Sequence, residues 1–224
     1  MSDQPTQPSD APRDAAADAT LEPLRSVHTN TFPALLDHLE CSVLVTTYQA
    51  GRLVALRSDG EVLNTHFRGC LKPMGLAVDG PRLAIGTRTE VWEYHSNPAV
   101  AGKLDPPGRC DACFMPRNGY CTADMQIHEM AWVGDELIFV NTLFSCLAKR
   151  SPLYSFVPIW RPPFISALAP EDRCHLNGLA LRDGGVRYVT ALGETDEANG
   201  WRANKKDGGI LMEVPSGEIL LKGL

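Results

Sequence analysis

No stretch of the chain approaches the roughly 18 consecutive apolar residues of a membrane-spanning helix. The N-terminus lacks both the basic start and the apolar run of a secretory signal. A basic surplus is missing too: the formal charge is −6, and −4 of it sits in residues 1–22, where five acids face Arg13 alone. The remainder is nearly neutral, which excludes a broad electrostatic surface for nucleic acid. There is no nucleophile elbow, no Walker motif and no His-Glu-x-x-His. The pairs Gly184-Gly185 and Gly208-Gly209 are turns, because no helical pattern follows them. Seven cysteines, an odd number without an export signal, argue for reduced thiols over a disulfide framework. Together these absences predict a soluble, cytoplasmic protein with neither a nucleic-acid nor a membrane partner.

Residues 1–24 are rich in Pro, Asp, Ala, Ser and Thr and nearly free of large apolar side chains. Burial there cannot offset the entropy of ordering, so the segment is expected to be disordered. Residues 25–224 are expected to form one folded domain. Thr31–Leu39 predicts a short helix with Pro33 in its first turn.

What the chain does contain is one hairpin written three times. Gly75–Thr87 (GLAVDGPRLAIGT), Glu129–Asn141 (EMAWVGDELIFVN) and Gly178–Thr190 (GLALRDGGVRYVT) each carry an apolar run, a Gly/Asp turn, a second apolar run and a closing polar residue. Their starts lie 54 and 49 residues apart, a period that belongs to propeller blades and similar arrays. Leu137-Ile138-Phe139-Val140 is apolar on both strand faces, which suits a sheet covered on both sides. Ser42–Tyr48, Arg52–Leu56 and Glu61–Phe67 predict three strands before the first repeat. Ser145–Arg150 and Tyr154–Val157, and later Gly209–Val214 and Glu218–Leu221, predict outer strands. Residues 97–124, 158–174 and 193–208 are expected as long loops. The expected fold is all-β: a propeller-like array of about four blades of four-stranded antiparallel sheet. The ring is expected to be incomplete, since the sequence ends where a further innermost strand should begin.

Antiparallel pairing places the start of each repeat's first strand and the end of its second at one mouth of the central channel. His128, Glu129, Asn141, His175 and Asn177 are expected there, under the long loops. Trp201 and Arg202 are expected over the same mouth as further ligand contacts. Imidazole, carboxylate and amide groups together suit a small polar ligand or a divalent metal. The candidate metal ligands are His128, Glu129, Asn141 and His175. A His beside a carboxylate also suits acid–base chemistry. The alternative is that these groups satisfy one another and the inner-strand backbone.

Cys110-x2-Cys113-x7-Cys121, with His128 beyond, is a second constellation, with one zinc-type pair where a strong signal has two. Cys146 and Cys174 adjoin apolar strands and read as small core residues. Trp160-Arg161-Pro162-Pro163-Phe164 reads as a recognition loop or as a clamp on a blade edge.

The runs Thr46–Gly51 (TTYQAG), Val140–Leu147 (VNTLFSCL), Phe156–Phe164 (FVPIWRPPF) and Glu171–Leu179 (EDRCHLNGL) resemble an uncharacterised bacterial family of conserved hypothetical proteins, a domain of unknown function. The likeness covers roughly residues 28–224. It implies a propeller-like repeat protein and brings no established activity or catalytic residue. Two function classes follow: a propeller that binds a small ligand at its channel mouth, and a non-catalytic module that holds a protein partner.

Overall fold

The computed structural model describes residues 27–224; the disorder expected for residues 1–24 falls outside them. Helix α1 (Phe32–His38) carries Pro33 in its first turn, buries Leu36 and packs on the first sheet. Four antiparallel sheets follow in chain order. The first holds β1 (Val43–Thr47), β2 (Arg52–Asp59) and β3 (Val62–Gly69). The second holds β4 (Leu76–Asp79), β5 (Arg82–Gly86), β6 (Glu90–Ser96) and, after the one-turn helix α2 (Pro98–Ala101), β7 (Phe114–Cys121). The third holds β8 (Ile127–Val133), β9 (Glu136–Asn141), β10 (Cys146–Lys149) and β11 (Val157–Trp160). The fourth holds β12 (Leu176–Arg182), β13 (Gly185–Ala191), β14 (Ile210–Glu213) and β15 (Ile219–Lys222). This is the propeller arrangement, in which each sheet is an up-and-down meander and its faces pack on neighbouring sheets. No helix of the described residues is long and apolar enough to cross a membrane.

Two expectations need correction, whereas the first sheet holds the three strands expected before the first repeat, one fewer than each of the other sheets. Its β1 ends against the start of β4, with Thr46 Oγ1 donating to the Met74 carbonyl at 2.7 Å. Thr47 closes β1 opposite Arg52 as Asn141 closes β9 opposite Cys146, so β1 corresponds to β9 and, in the same order, to β5 and β13. The first sheet has no counterpart of β4, β8 and β12. Residues 97–124, expected as loop, contain α2 and the eight-residue strand β7; Pro116 and Gly119 had masked the strand pattern. The last strand of the third sheet begins at Val157, where Tyr154 had been expected.

The repeated hairpins match in backbone detail. Gly80, Gly134 and Asp183 open the three turns with φ of 52°, 58° and 54°, a left-handed conformation that glycine adopts freely and aspartate tolerates. Lys72, Gln126 and His175, three residues before each repeat, share φ near 50° as well: 47°, 52° and 50°. In β8 and β12 the pairing slips at equivalent places, between Ile127 and Met130 and between Leu176 and Leu179. These are β-bulges, which redirect side chains at a strand end.

The core runs between sheets. In β9, Leu137 and Phe139 enter the cluster shared with the second sheet, whereas Val140 enters the cluster shared with the fourth. In β10, Cys146 and Ala148 face one way and Leu147 the other. Both strands are buried on both faces, as the unbroken apolar run requires. Gly75 sits where the innermost strands approach most closely: its N–H donates to the Ile127 carbonyl at 3.0 Å, and a Cβ there would lie 2.5 Å from Met130 Cγ.

Phe139 is fully buried between two sheets, so Phe139→Ala should lower unfolding free energy by about 3–5 kcal/mol in urea titration. Leu181→Ala, at an exposed position, should stay within about 0.5 kcal/mol.

Candidate functional site

The bulges that open β8 and β12 place His128 and Asn177 at equivalent positions of adjacent sheets, and the two side chains meet. His128 Nδ1 and Asn177 Oδ1 are 2.7 Å apart. Beside them, His175 lies edge-to-face with His128, ring centroids 4.8 Å apart and planes at 84°. The other face of His175 leans on Trp201 at 4.3 Å.

Asp172, which sequence reasoning did not single out, organises this cluster. It is buried, and both its oxygens lie 2.9 Å from His175 Nδ1. Trp201 Nε1 donates to Asp172 Oδ2 at 3.0 Å. A carboxylate only accepts, so His175 carries its proton on Nδ1 and Nε2 keeps its lone pair in the neutral ring. The Asn177 carbonyl oxygen imposes the same tautomer on His128. Among the described residues neither Nε2 has a hydrogen-bond partner, so the site presents two imidazole acceptors. The His128 pKa is lowered, first by burial and then by the charge of His175; the Asn177 hydrogen bond and Asp172 oppose this without reversing it.

The turn after β9 holds Asp172 in place. Asp172 N–H donates to the Leu143 carbonyl at 2.8 Å, and Ser145 Oγ accepts from the N–H of Arg173 at 3.1 Å. Thr142 Oγ1 donates to the Leu176 carbonyl at 2.6 Å. Arg173 then ties the two overlying loops together. Its guanidinium meets Glu171 at 2.8 Å, Ser166 Oγ at 3.0 Å and Asp196 at 2.7 Å. Hydrogen bonds from Ser166, and then from Arg173, lower the Asp196 pKa from 3.8 to about 2.

Of the residues expected at the mouth, the structure brings together His128, His175, Asn177 and Trp201. Trp201 is a buried support whose indole N–H is used internally. Arg202 stacks on the Trp201 ring at 4.3 Å and donates to Asn199 Oδ1 at 3.1 Å. Glu129 and Asn141 each give one side-chain oxygen to nearby backbone, and Asn141 pairs across from Ile127, beside His128. Glu129 Oε1 accepts from the Met130 N–H at 3.0 Å, and burial raises its pKa. Asn141 is fully buried and its Oδ1 accepts from the Phe144 N–H at 3.2 Å. Among the described residues no three His, Cys, Asp or Glu side chains converge to hold a metal ion.

The zinc-type cysteine spacing fails for a geometric reason. Strand β7 separates Cys113 from Cys121, and eight strand residues span roughly 26 Å. Cys146 and Cys174 are core residues, each fully buried with its thiol pKa pushed by burial to about 12. The Trp160–Phe164 run is a clamp: Trp160 Nε1 donates to the Pro215 carbonyl at 3.1 Å, and Pro163 lies against Gly217.

Two measurements check this description. Alkylation of the native protein with mass mapping should label the exposed Cys41 and Cys121 and spare Cys146 and Cys174. The Asp196 carboxylate should stabilise the fold above its ordinary pKa, with the benefit lost as pH falls. The stability gap between wild type and Asp196→Asn should be full above pH 3.8 and close as pH drops through about 2.

A search of curated proteins finds no match. Among solved structures, the crystal structure of Myxococcus xanthus glutaminyl cyclase is similar at a TM-score of 0.41 and 17% identity, covering 80% of each chain. A family model matches residues 30–224, and the chain belongs to that family, described as Domain of unknown function (DUF4915).

Proposed function

We propose that the channel mouth binds a small polar ligand through the paired imidazoles of His128 and His175. One observation carries this reading: two rings on adjacent sheets, 4.8 Å apart, each have Nδ1 fixed by an acceptor and Nε2 unengaged by protein. Two lone pairs side by side call for a ligand with hydrogen-bond donors, a hydroxyl or an amide or amine N–H. A divalent metal is the weaker occupant, because zinc at a catalytic site takes three protein ligands and only two imidazoles stand here. Asp172 fixes the tautomer and orientation of His175 as the carboxylate of a general-base dyad does. The mouth is therefore equipped to take a proton from a bound hydroxyl.

Titration of imidazole-labelled protein with uncharged polyols and amides, followed by nitrogen NMR, tests the proposal. Both Nε2 resonances should shift, and His128→Ala and His175→Ala should each abolish saturable binding while leaving the melt cooperative. Binding should weaken as His128 protonates, because a protonated Nε2 no longer accepts. His128 should hold its acceptor to lower pH than a free histidine. Stoichiometric zinc uptake lost in the same variants, with no response to polyols or amides, would replace this reading with a metal site.

A further inference from the structure

Beside the imidazole pair, the same mouth carries a cavity of about 50 Å³ lined by Tyr48, Lys72, Met74, Thr87, Arg88, Asp124, Gln126 and Ile127. Its walls come from the ends of β1 and β5 and the approach to β8, so it lies between the first three sheets. Lys72 Nζ stands 5.2 Å from the centre of the Tyr48 ring. Arg88 spends Nε on Asp124 at 3.0 Å. That ion pair cancels two of the three formal charges in the wall and leaves the ammonium of Lys72 uncompensated. Among the described residues the side chains of Lys72, Gln126 and Tyr48 make no hydrogen bond, so an ammonium, an amide and a phenol border the cavity with unused donors.

We infer that this cavity is an anion subsite and that the ligand of the mouth is a small hydroxy-carboxylate, its carboxylate among Lys72, Gln126 and Tyr48 and its hydroxyl at the imidazoles. This rests on the reading of the imidazole pair as a ligand site. Two features join the subsites. Gln126 and His128 are two residues apart, so their Cα atoms lie within about 7 Å. Lys72, Gln126 and His175 are also one position repeated in three sheets, with the same left-handed backbone, so cation, amide and imidazole follow one another around the channel. A carboxylate removes the uncompensated charge and accepts charge-assisted hydrogen bonds, the stronger kind.

Glycerate and glycerol serve as probes, since they share hydroxyls and differ by the carboxylate. Binding to the full chain is followed by NMR at the imidazole nitrogens and at the lysine ammonium groups, for wild type and Lys72→Met. Glycerate should bind about tenfold tighter than glycerol or better, shifting Lys72 and both imidazoles together. Lys72→Met should reduce glycerate to the affinity of glycerol while leaving glycerol unchanged. Equal affinities of the two probes, with only imidazole shifts, would overturn the anion subsite and leave the imidazole site standing. A glycerate preference that survives Lys72→Met would overturn it as well. Shifts at Lys72 without the imidazoles would refute a single ligand spanning both. No imidazole shift with either probe would count against the proposed function itself.

Discussion

Every sheet that lies between two others must be apolar on both faces, and this constraint shapes the molecule. In β9, Phe139 and Val140 are neighbours in sequence and belong to the cores on opposite sides of the third sheet. Fully burying side chains of this kind contributes about 1.5–3 kcal/mol each, and here the same strand does so twice. The face-to-face stacking brings the starts of β4, β8 and β12 together around the channel. Gly75 marks how tight that approach is, since no Cβ fits against Met130 there. His128 and Asn177 meet for the same reason: they occupy one repeat position in two adjacent sheets.

Stacking alone would not hold a carboxylate inside the protein. Burying Asp172 is costly unless its oxygens find donors, and the indole of Trp201 and the imidazole of His175 supply them. Each partner is fixed in return. Trp201 gains a place for its N–H, and His175 gains a tautomer and an orientation. The long connections over the mouth are therefore part of the site's framework, since one carries Asp172, the next carries Trp201, and Arg173 bridges them through Asp196. Function placed on loops over a rigid scaffold is the common pattern of repeat folds.

Much of the fold was legible because its signals are periodic. The three hairpins, their turns and the two-faced apolar run Leu137–Val140 are visible in sequence, and the channel-mouth position of His128, His175 and Asn177 follows from them. Other features were not periodic. Asp172 has Ala123 as its repeat counterpart, so alignment of the repeats concealed it; the spacing Asp172-x2-His175 was the available signal. The local backbone bonds of Glu129 and Asn141, to Met130 and Phe144, depend on the bulge and the turn and had no signal in the repeat. Strand β7 was hidden by Pro116 and Gly119.

Repetition also explains how a nearly symmetric backbone can build a site with direction. Lys72, Gln126 and His175 share one conformation, and Met74, His128 and Asn177 share the next structural position. The backbone supplies three equivalent places, and the sequence fills them with chemically unlike groups: a cation, an amide and an imidazole in one tier, a thioether, an imidazole and an amide in the other. A ring of identical side chains would offer a ligand the same contact at every orientation. Here the donors gather between the first and third sheets and the acceptors between the third and fourth. The asymmetry of the mouth therefore resides in six side chains on a common frame.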